Sequence, residues 1–473
     1  MTAPVWTAFL LLAQLLAMLV LAVGIVQNLL YFALMLTALW AMVTRPPARR
    51  TRALWTGLVD AAPPLSVIVP AHDEELTIEE SVRALLALQY PDFEVIVVND
   101  GSRDGTLERL KERFALEPEA TLPAGPLAHV PCRAVYRSAA VPALRVIDKE
   151  NGGKADALNA GINLAEGELF CAADADSLLE ADSLLRAVQP FVEGGEETIA
   201  VGGTVRVANG CPVRGGRVVE VRLPTRFLAL LQTVEYMRAF TMARLAFERF
   251  GALFIISGAF GIFRRQAVLE VGGYSTATVG EDLELVLRLH RFMRERGRRY
   301  AIRFVPEPVC WTQVPENLAA LARQRIRWHR GALESLAAHR RMIGRRRYGA
   351  AGWLGLTSLA LLDVVAPAVE AAGYLLMPVL WALGMIDTSF LLAWLALTFA
   401  FGVIVSVGAL VLEEMELRRF PRAGHLAILA LVAILENFGY RQLANLWRIA
   451  GHLAWLRGMR GWGRQPRRAF VRA

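Results

Sequence analysis

Cysteine is scarce in this 473-residue chain: Cys132, Cys171, Cys211 and Cys310 are scattered and form no CxxC pair. That pattern excludes a disulfide framework and a cysteine-built zinc site, and it fits a reduced, cytosolic domain. Charge is missing altogether from residues 5–43. A helix needs roughly 20 apolar residues to cross a bilayer, so this run spells one long helix or a hairpin turning near 24–28. It is too long for the apolar part of a signal peptide and lacks a basic start, so it is expected to stay. The GxxxxGK[ST] phosphate loop is absent, as are internal repeats and long low-complexity segments.

What is present is a mixture. Hydrophobic residues make up 55% of the chain and charged ones 20%, with positive mean hydropathy. This is too apolar for a wholly soluble enzyme and too charged for a wholly membrane-embedded one, which predicts a soluble domain plus spanning segments. The net charge is +8. Arg45, Arg49, Arg50 and Arg52 follow the first apolar run, and Arg457, Arg460, Arg464, Arg467, Arg468 and Arg472 crowd the end without an acid. Basic residues beside spans mark the cytoplasmic face, so the charge is read as topology, and no nucleic-acid partner is expected. Both flanks then lie inside, and the C-terminal crossings should be even in number. Apolar segments return at 353–386, 390–412 and 426–435. The first carries Asp363, Pro367 and Glu370 and is expected to be kinked or to form two short passes; the last is short. The predicted organisation is a membrane segment at 1–44 and a cytoplasmic domain at 62–340, the latter with an interfacial helix at 315–331. A membrane bundle at 350–447 and a basic tail at 448–473 follow.

Within 62–340, apolar runs at 65–70, 93–98, 144–147, 169–173 and 199–207 read as strands. Amphipathic patterns at 79–88, 107–114, 155–164 and 181–191 read as helices. Uninterrupted apolar strands between helices predict a parallel sheet covered on both faces, with ligands beyond the strand carboxyl ends. The Pro- and Ala-rich stretch 116–141 reads as an inserted loop.

Acidic residues gather at those strand ends. Asp174 and Asp176 are two apart, so in extended chain they point the same way. A pair of carboxylates suits Mg²⁺ or Mn²⁺ with phosphate oxygens, although an Asp-rich turn has the same composition. Asn99-Asp100-Gly101-Ser102 ends another strand, and Pro70-Ala71-His72-Asp73-Glu74-Glu75 the first. Each is a nucleotide contact or an ordinary turn. Asn151-Gly152-Gly153-Lys154 opens a helix, where glycines, the helix N-terminus and a lysine favour an anion. Glu281 and Asp282 start an amphipathic stretch at 283–292; Asp282 is either a helix-start acid or a general base. Gln324, Arg327 and Trp328 stand at i, i+3 and i+4 of a helix and share one face. The guanidinium suits a diphosphate and the indole a sugar ring, while the same helix reads as a basic surface helix at a bilayer. Ser257-Gly258 interrupts an apolar run, as a bulge or a close approach of another group does.

The order of these motifs resembles the processive family 2 glycosyltransferases, the group of cellulose, hyaluronan and poly-N-acetylglucosamine synthases. The match runs from about Pro64 to Gly331: Pro70-x-x-Asp73-Glu74-Glu75, Asn99-Asp100-Gly101-Ser102, Gly153-Lys154, Asp174-x-Asp176, Ser257-Gly258, Glu281-Asp282 and Gln324-x-x-Arg327-Trp328. The resemblance implies an α/β nucleotide-diphospho-sugar transferase domain, Rossmann-like and of the family A glycosyltransferase type, inserted between transmembrane helices. It implies that Glu74, Asp100, Lys154, Asp174, Gln324 and Arg327 bind the donor. Asp174 and Asp176 would hold Mg²⁺ or Mn²⁺. Ser257, Gly258 and Trp328 would form the acceptor site, and Asp282, beside Glu281, would be the base. The implied reaction is inverting, processive transfer from a UDP-sugar to a growing β-linked polysaccharide, coupled to export across the bacterial-type inner membrane. UDP-N-acetylglucosamine is favoured over UDP-glucose, because Asp73, Asn99 and Gly280 lean toward the poly-N-acetylglucosamine branch. A small accessory membrane subunit is compatible with the group. The cellulose synthases' C-terminal cyclic-di-GMP-binding domain has no counterpart here, and control through one is not expected. Competing readings are transfer of one sugar to a lipid carrier, and a non-catalytic membrane signalling subunit with a degenerate transferase domain.

Overall fold

The computed structural model describes residues 3–46, 50–120, 122–417 and 423–459. Arg49 and the arginines from Arg460 onward lie outside the described residues. The chain opens on one unbroken helix, Ala3–Thr44, rather than a hairpin. Asn28, the polar residue that suggested a turn, donates its side-chain amide to the Leu397 carbonyl of another helix at 3.2 Å. It serves packing between helices instead of reversing the chain.

The strands in chain order are β1 (Leu65–Ala71), β2 (Phe93–Asp100), β3 (Leu116–Glu119), β4 (Cys132–Ser138), β5 (Leu144–Lys149), β6 (Leu169–Ala173), β7 (Ser177–Leu179), β8 (Thr198–Val207), β9 (Val213–Arg214), β10 (Arg217–Val218), β11 (Phe260–Arg264) and β12 (Ala301–Thr312). Ten of them form one sheet in the order β3-β4-β5-β2-β1-β6-β11-β8-β12-β7, and β9 pairs with β10 apart from it. The central β5-β2-β1-β6 set is parallel. Its members are buried on both faces, which is why they read as unbroken apolar runs.

Two expectations are corrected here. The sheet is mixed, because β11 runs antiparallel to both β6 and β8. A helical excursion, residues 227–249, carries the chain round so that it re-enters the sheet from the opposite end. The stretch 116–141 is not simply a loop, since β3 and β4 form an antiparallel pair that continues the sheet through β5. Only part of this edge is buried, so its sequence lacks the strong apolar signal of the centre.

Among the described residues three helices are long and apolar enough to cross a membrane: Leu10–Thr44, Ala351–Ala382 and Thr388–Met415. The second is one continuous helical run with widened, π-helical turns at Ala351–Leu356 and Leu359–Val365. The short apolar segment becomes Ala423–Leu435, the first half of a pair bent by 56° against Tyr440–Leu456. The latter helix runs through position 448, where the tail was expected to begin, and packs on the helix Leu318–Ala338. Ion pairs join the sheet side to the C-terminal apolar helices and their bend. Arg206 of β8 pairs with Glu413, and Arg238 with Glu436.

Candidate active site

The carboxyl ends of β1, β2 and β6 open into a cavity of about 1750 Å³. Its wall holds each residue to which the resemblance gives a site role: Glu74, Asp100, Lys154, Asp174, Asp176, Ser257, Gly258, Glu281, Asp282, Gln324, Arg327 and Trp328. The cavity also reaches Tyr31, Leu34, Leu359 and Leu362 on helices long enough to span a membrane.

Lys154 is the hub. It stands at the first turn of the helix Lys154–Leu164, where the helix dipole disfavours a cation. Three oxygens compensate. Its Nζ lies 2.5 Å from Asp174 Oδ1, 3.2 Å from the Gly258 carbonyl and 3.7 Å from Glu281 Oε1. Burial alone would lower the lysine pKa, but the Asp174 and Glu281 carboxylates override it and hold the ammonium charged well above its ordinary range. Glu281 shows the converse. Burial pushes its carboxyl up, Lys154 pulls it back, Asp282 pushes it up again, and it settles at about 7.

Asp282 is fixed by two amides. Its Oδ2 accepts from the Gly258 N–H at 3.0 Å, and its Oδ1 from Leu283 N–H at 2.8 Å. Gly258 therefore touches Lys154 through its carbonyl and Asp282 through its amide. A Cβ on Gly258 would sit 2.8 Å from Lys154 Nζ and 3.4 Å from Asp282 Oδ2. That contact is the physical reason the Ser257-Gly258 break interrupts an apolar run.

The helix Leu318–Ala338 brings the third group. It presses on the start of the helix Glu281–Glu295 through two glycines: a Cβ on Gly331 would meet the Gly280 nitrogen at 2.8 Å. Glu334 adds hydrogen bonds from the Thr278 hydroxyl and the Val279 amide, each 2.9 Å. Backbone contact at this point is what lets Gln324, Arg327 and Trp328 face the same cavity as Asp282. Trp328 is 43% exposed, and the Gln324 Oε1 is buried without a hydrogen-bond partner. A cavity-lining amide with unused hydrogen-bonding capacity fits a polar ligand.

Asp100 lines the cavity and is also tied into the protein. It is 3% exposed, and both its oxygens bond within the protein. Oδ1 takes Lys149 Nζ at 2.6 Å and the Gly152 amide at 2.9 Å, while Oδ2 takes the Gly153 amide at 2.8 Å and the Asn151 side chain at 3.2 Å. The anion that the Asn151-Gly152-Gly153 amides approach is thus Asp100 itself. The carboxylate anchors the loop that delivers Lys154, with Gly153 at φ +89°, a conformation that favours glycine. Lys149 was missed. It is fully buried between Asp100 and Asp156, 2.6 Å from each. Its signal is weak, because Asp148 and Lys149 look like loop after a strand ending at Ile147. Glu74 is 2% exposed and accepts from the Thr77 hydroxyl at 2.9 Å. Of the two acids on the candidate span Ala351–Ala382, Asp363 lines the cavity 3.5 Å from Arg448, whereas Glu370 lies outside it, 3.1 Å from Arg441.

Among the described residues no three His, Cys, Asp or Glu side chains converge as a ready-made metal cage. Asp174 and Asp176, both partly exposed on the cavity wall, match a hard ion that draws its other ligands from phosphate and water. Asp174 already holds a cation, the Lys154 ammonium.

The profile of Glycosyl transferase family group 2 matches residues 170–412, just over half of the chain, and that of Glycosyl transferase family 2 matches 66–122. A poly-beta-1,6-N-acetyl-D-glucosamine synthase of Staphylococcus epidermidis is 29% identical over 273 residues, 58% of this chain and 55% of that protein. The protein of the same description from Staphylococcus aureus (strain COL) is 29% identical over 279 residues, 59% of this chain and 57% of that protein. The chain spans little more than half the length of these relatives. A mannosyltransferase of Pyrobaculum calidifontis, solved with GDP-Man and Mn²⁺, superposes with a TM-score of 0.54 at 20% identity, covering 92% of this chain and 99% of that one. That likeness shows the family A glycosyltransferase fold. By its sequence profile and its fold, the chain is a glycosyltransferase that belongs to the family 2 group.

Proposed function

We propose that the chain transfers N-acetylglucosamine from its UDP donor to the end of a growing β-linked polysaccharide, at the cytoplasmic face of the membrane. UDP-glucose is the second candidate donor. The observation that carries the reading is the shared cavity: acids, lysine and the Gln324/Arg327/Trp328 face, far apart in sequence, line one space.

The reaction is a single displacement with inversion. Asp282 accepts the proton of the acceptor hydroxyl as its oxygen bonds to the anomeric carbon, and the bond from that carbon to the diphosphate oxygen breaks. Lys154 and Arg327 present fixed positive charge to the departing diphosphate. The Gly258 and Leu283 amides keep the Asp282 carboxylate aimed. Trp328 offers a flat surface to the acceptor's terminal sugar, which turns a bimolecular step into an oriented one. Asp174 and Asp176 would hold Mg²⁺ or Mn²⁺, which when bound neutralises charge on the diphosphate. Asp100 and Glu74 support the donor site from beneath, Asp100 through the loop it anchors. The finished strand leaves past Tyr31 and Leu362 toward the membrane helices.

The test is purified protein in lipid, with Mg²⁺ or Mn²⁺, given labelled UDP-N-acetylglucosamine, UDP-glucose and GDP-mannose in parallel and the products sized. Long polymer from the first donor alone supports the proposal; no incorporation from any UDP-sugar sinks it. A second reading, transfer of a single sugar to a lipid carrier, draws on the apolar wall that the membrane helices add to the cavity. Product confined to one sugar on an organic-extractable lipid would replace the first reading with this one.

A further inference from the structure

One group beyond the motif residues covers the exposed indole, and two more hold that group in turn. Arg325 lies on the same helix as Trp328, three residues earlier, and its guanidinium carbon sits 4.4 Å from the centre of the Trp328 ring. The guanidinium is held in turn by Glu235, whose Oε2 is 2.8 Å from Arg325 Nη2. The same Oε2 accepts from the Tyr440 hydroxyl at 3.0 Å. Glu235 belongs to the helix Phe227–Met237, and Tyr440 is the first residue of the helix Tyr440–Leu456, just past the 56° bend. Tyr440, Glu235, Arg325 and Trp328 therefore run as one contact chain from the bent membrane pair to the cavity wall.

We propose that Arg325 is a positioning residue: it covers one face of the Trp328 indole, so that the acceptor sugar stacks only on the other, and Glu235 with Tyr440 keeps the guanidinium in place. The inference rests on the acceptor role given to Trp328 above. A planar guanidinium lies flat on an aromatic ring and still offers its edge to a carboxylate, which an ammonium cannot do. Arg325 is only 11% exposed and Glu235 23%. An arginine drawn onto a ring by a buried-side carboxylate loses its freedom before the acceptor arrives, so the indole is presented in one orientation. The chain also gives the membrane pair a handle on the acceptor site. A shift at the bend moves Tyr440, and Tyr440 shares its oxygen acceptor with Arg325.

The test uses the full chain in lipid nanodiscs with Mg²⁺, UDP-N-acetylglucosamine and a short β-linked N-acetylglucosamine oligosaccharide as acceptor. Arg325→Ala should raise the acceptor KM about three- to thirtyfold, the range of a partly desolvated cation–ring contact, and shorten the polymer. Its kcat at saturating acceptor should stay within about twofold, since no contact with the reacting atoms is lost. Arg325→Lys keeps the charge beside Glu235 but not the plane, and should leave the KM raised. Glu235→Gln should raise it less, and adding it to Arg325→Ala should change nothing further. An unmoved acceptor KM in Arg325→Ala, full recovery by Arg325→Lys, or additive effects of the two changes would each overturn the proposal. Trp328→Ala run alongside separates the two claims. If it raises the acceptor KM while Arg325→Ala does not, only the positioning role falls; if it too moves nothing, the acceptor role of Trp328 falls and takes the inference with it.

Discussion

Replacing Glu281 by glutamine isolates the electrostatic cost stored beside the proposed base. Glu281 is 3% exposed. Burial raises its carboxyl, Lys154 opposes that rise, Asp282 adds to it, and the group moves from its ordinary 4.5 to about 7. A raised acid is one that the folded state keeps protonated when the unfolded chain has already let the proton go. The stability it contributes is therefore complete below pH 4.5 and is lost as pH climbs through about 7. At about 1.4 kcal/mol per pH unit across that window, the loss amounts to about 3 kcal/mol. Glutamine has the same shape and carries no charge at any pH. The Glu281→Gln variant should match the parent near pH 4.5 and exceed its stability by about 3 kcal/mol at pH 8. Unfolding followed by tryptophan fluorescence on the detergent-solubilised full chain, without donor or divalent cation, reads the difference at each pH. Curves that stay parallel from pH 5 to 8 would refute the reasoning, because they would mean that Glu281 titrates alike in both states.

Other perturbations act at other points of the same cavity. Trp328→Ala should lose elongation before donor hydrolysis, seen as shorter product on a sizing gel; unchanged length would argue against an acceptor role. Gly331→Ala forces a Cβ to within 2.8 Å of the Gly280 backbone nitrogen. It should cost about 1–3 kcal/mol, beyond the small gain in helix propensity, and slow transfer by shifting the Trp328 helix away from Asp282. Wild-type rates in a folded Gly331→Ala protein would show that the spacing does not matter. Lys149→Met strips the cation from two buried carboxylates and should destabilise by about 3–5 kcal/mol, with weakened donor binding by calorimetry as the loop of Lys154 loosens. A variant as stable as the parent would mean that Asp100 and Asp156 find other partners.

Much of this architecture was legible in the sequence for a specific physical reason. The central strands are buried on both faces, so their apolar runs are continuous, and the polar residues that end them stand out: Asp100, Asp174 and Asp176 mark strand ends by contrast alone. The helix face of Gln324, Arg327 and Trp328 was legible because helical spacing is local. What failed depends on distant partners. Strand β5 was cut short at Ile147 because Asp148 and Lys149 look like loop. The ladder continues because Asn99 pairs with Asp148 and Asp100 with Lys149 across it. The reversed direction of β11 depends on how the chain returns from residues 227–249, and no periodicity reports that. The β3–β4 edge is only partly buried and carries Pro118, so its alternation is faint. The Gly280–Gly331 contact pairs two glycines half a hundred residues apart, and nothing in the sequence links them. The protein partners of Asp100, Lys149 and two loop amides, come from a neighbouring strand and the turn that follows it, which local spacing does not report.

The proposed base offers the most direct measurement. Wild-type protein and Asp282→Asn, both in lipid with Mg²⁺, are given labelled UDP-N-acetylglucosamine, and polymer formation and donor binding are measured on the same preparations. A general base contributes about 10²- to 10⁴-fold, so polymer from the asparagine variant should fall at least a hundredfold below wild type while its donor affinity is retained. Polymer from Asp282→Asn at the parental rate would contradict the account.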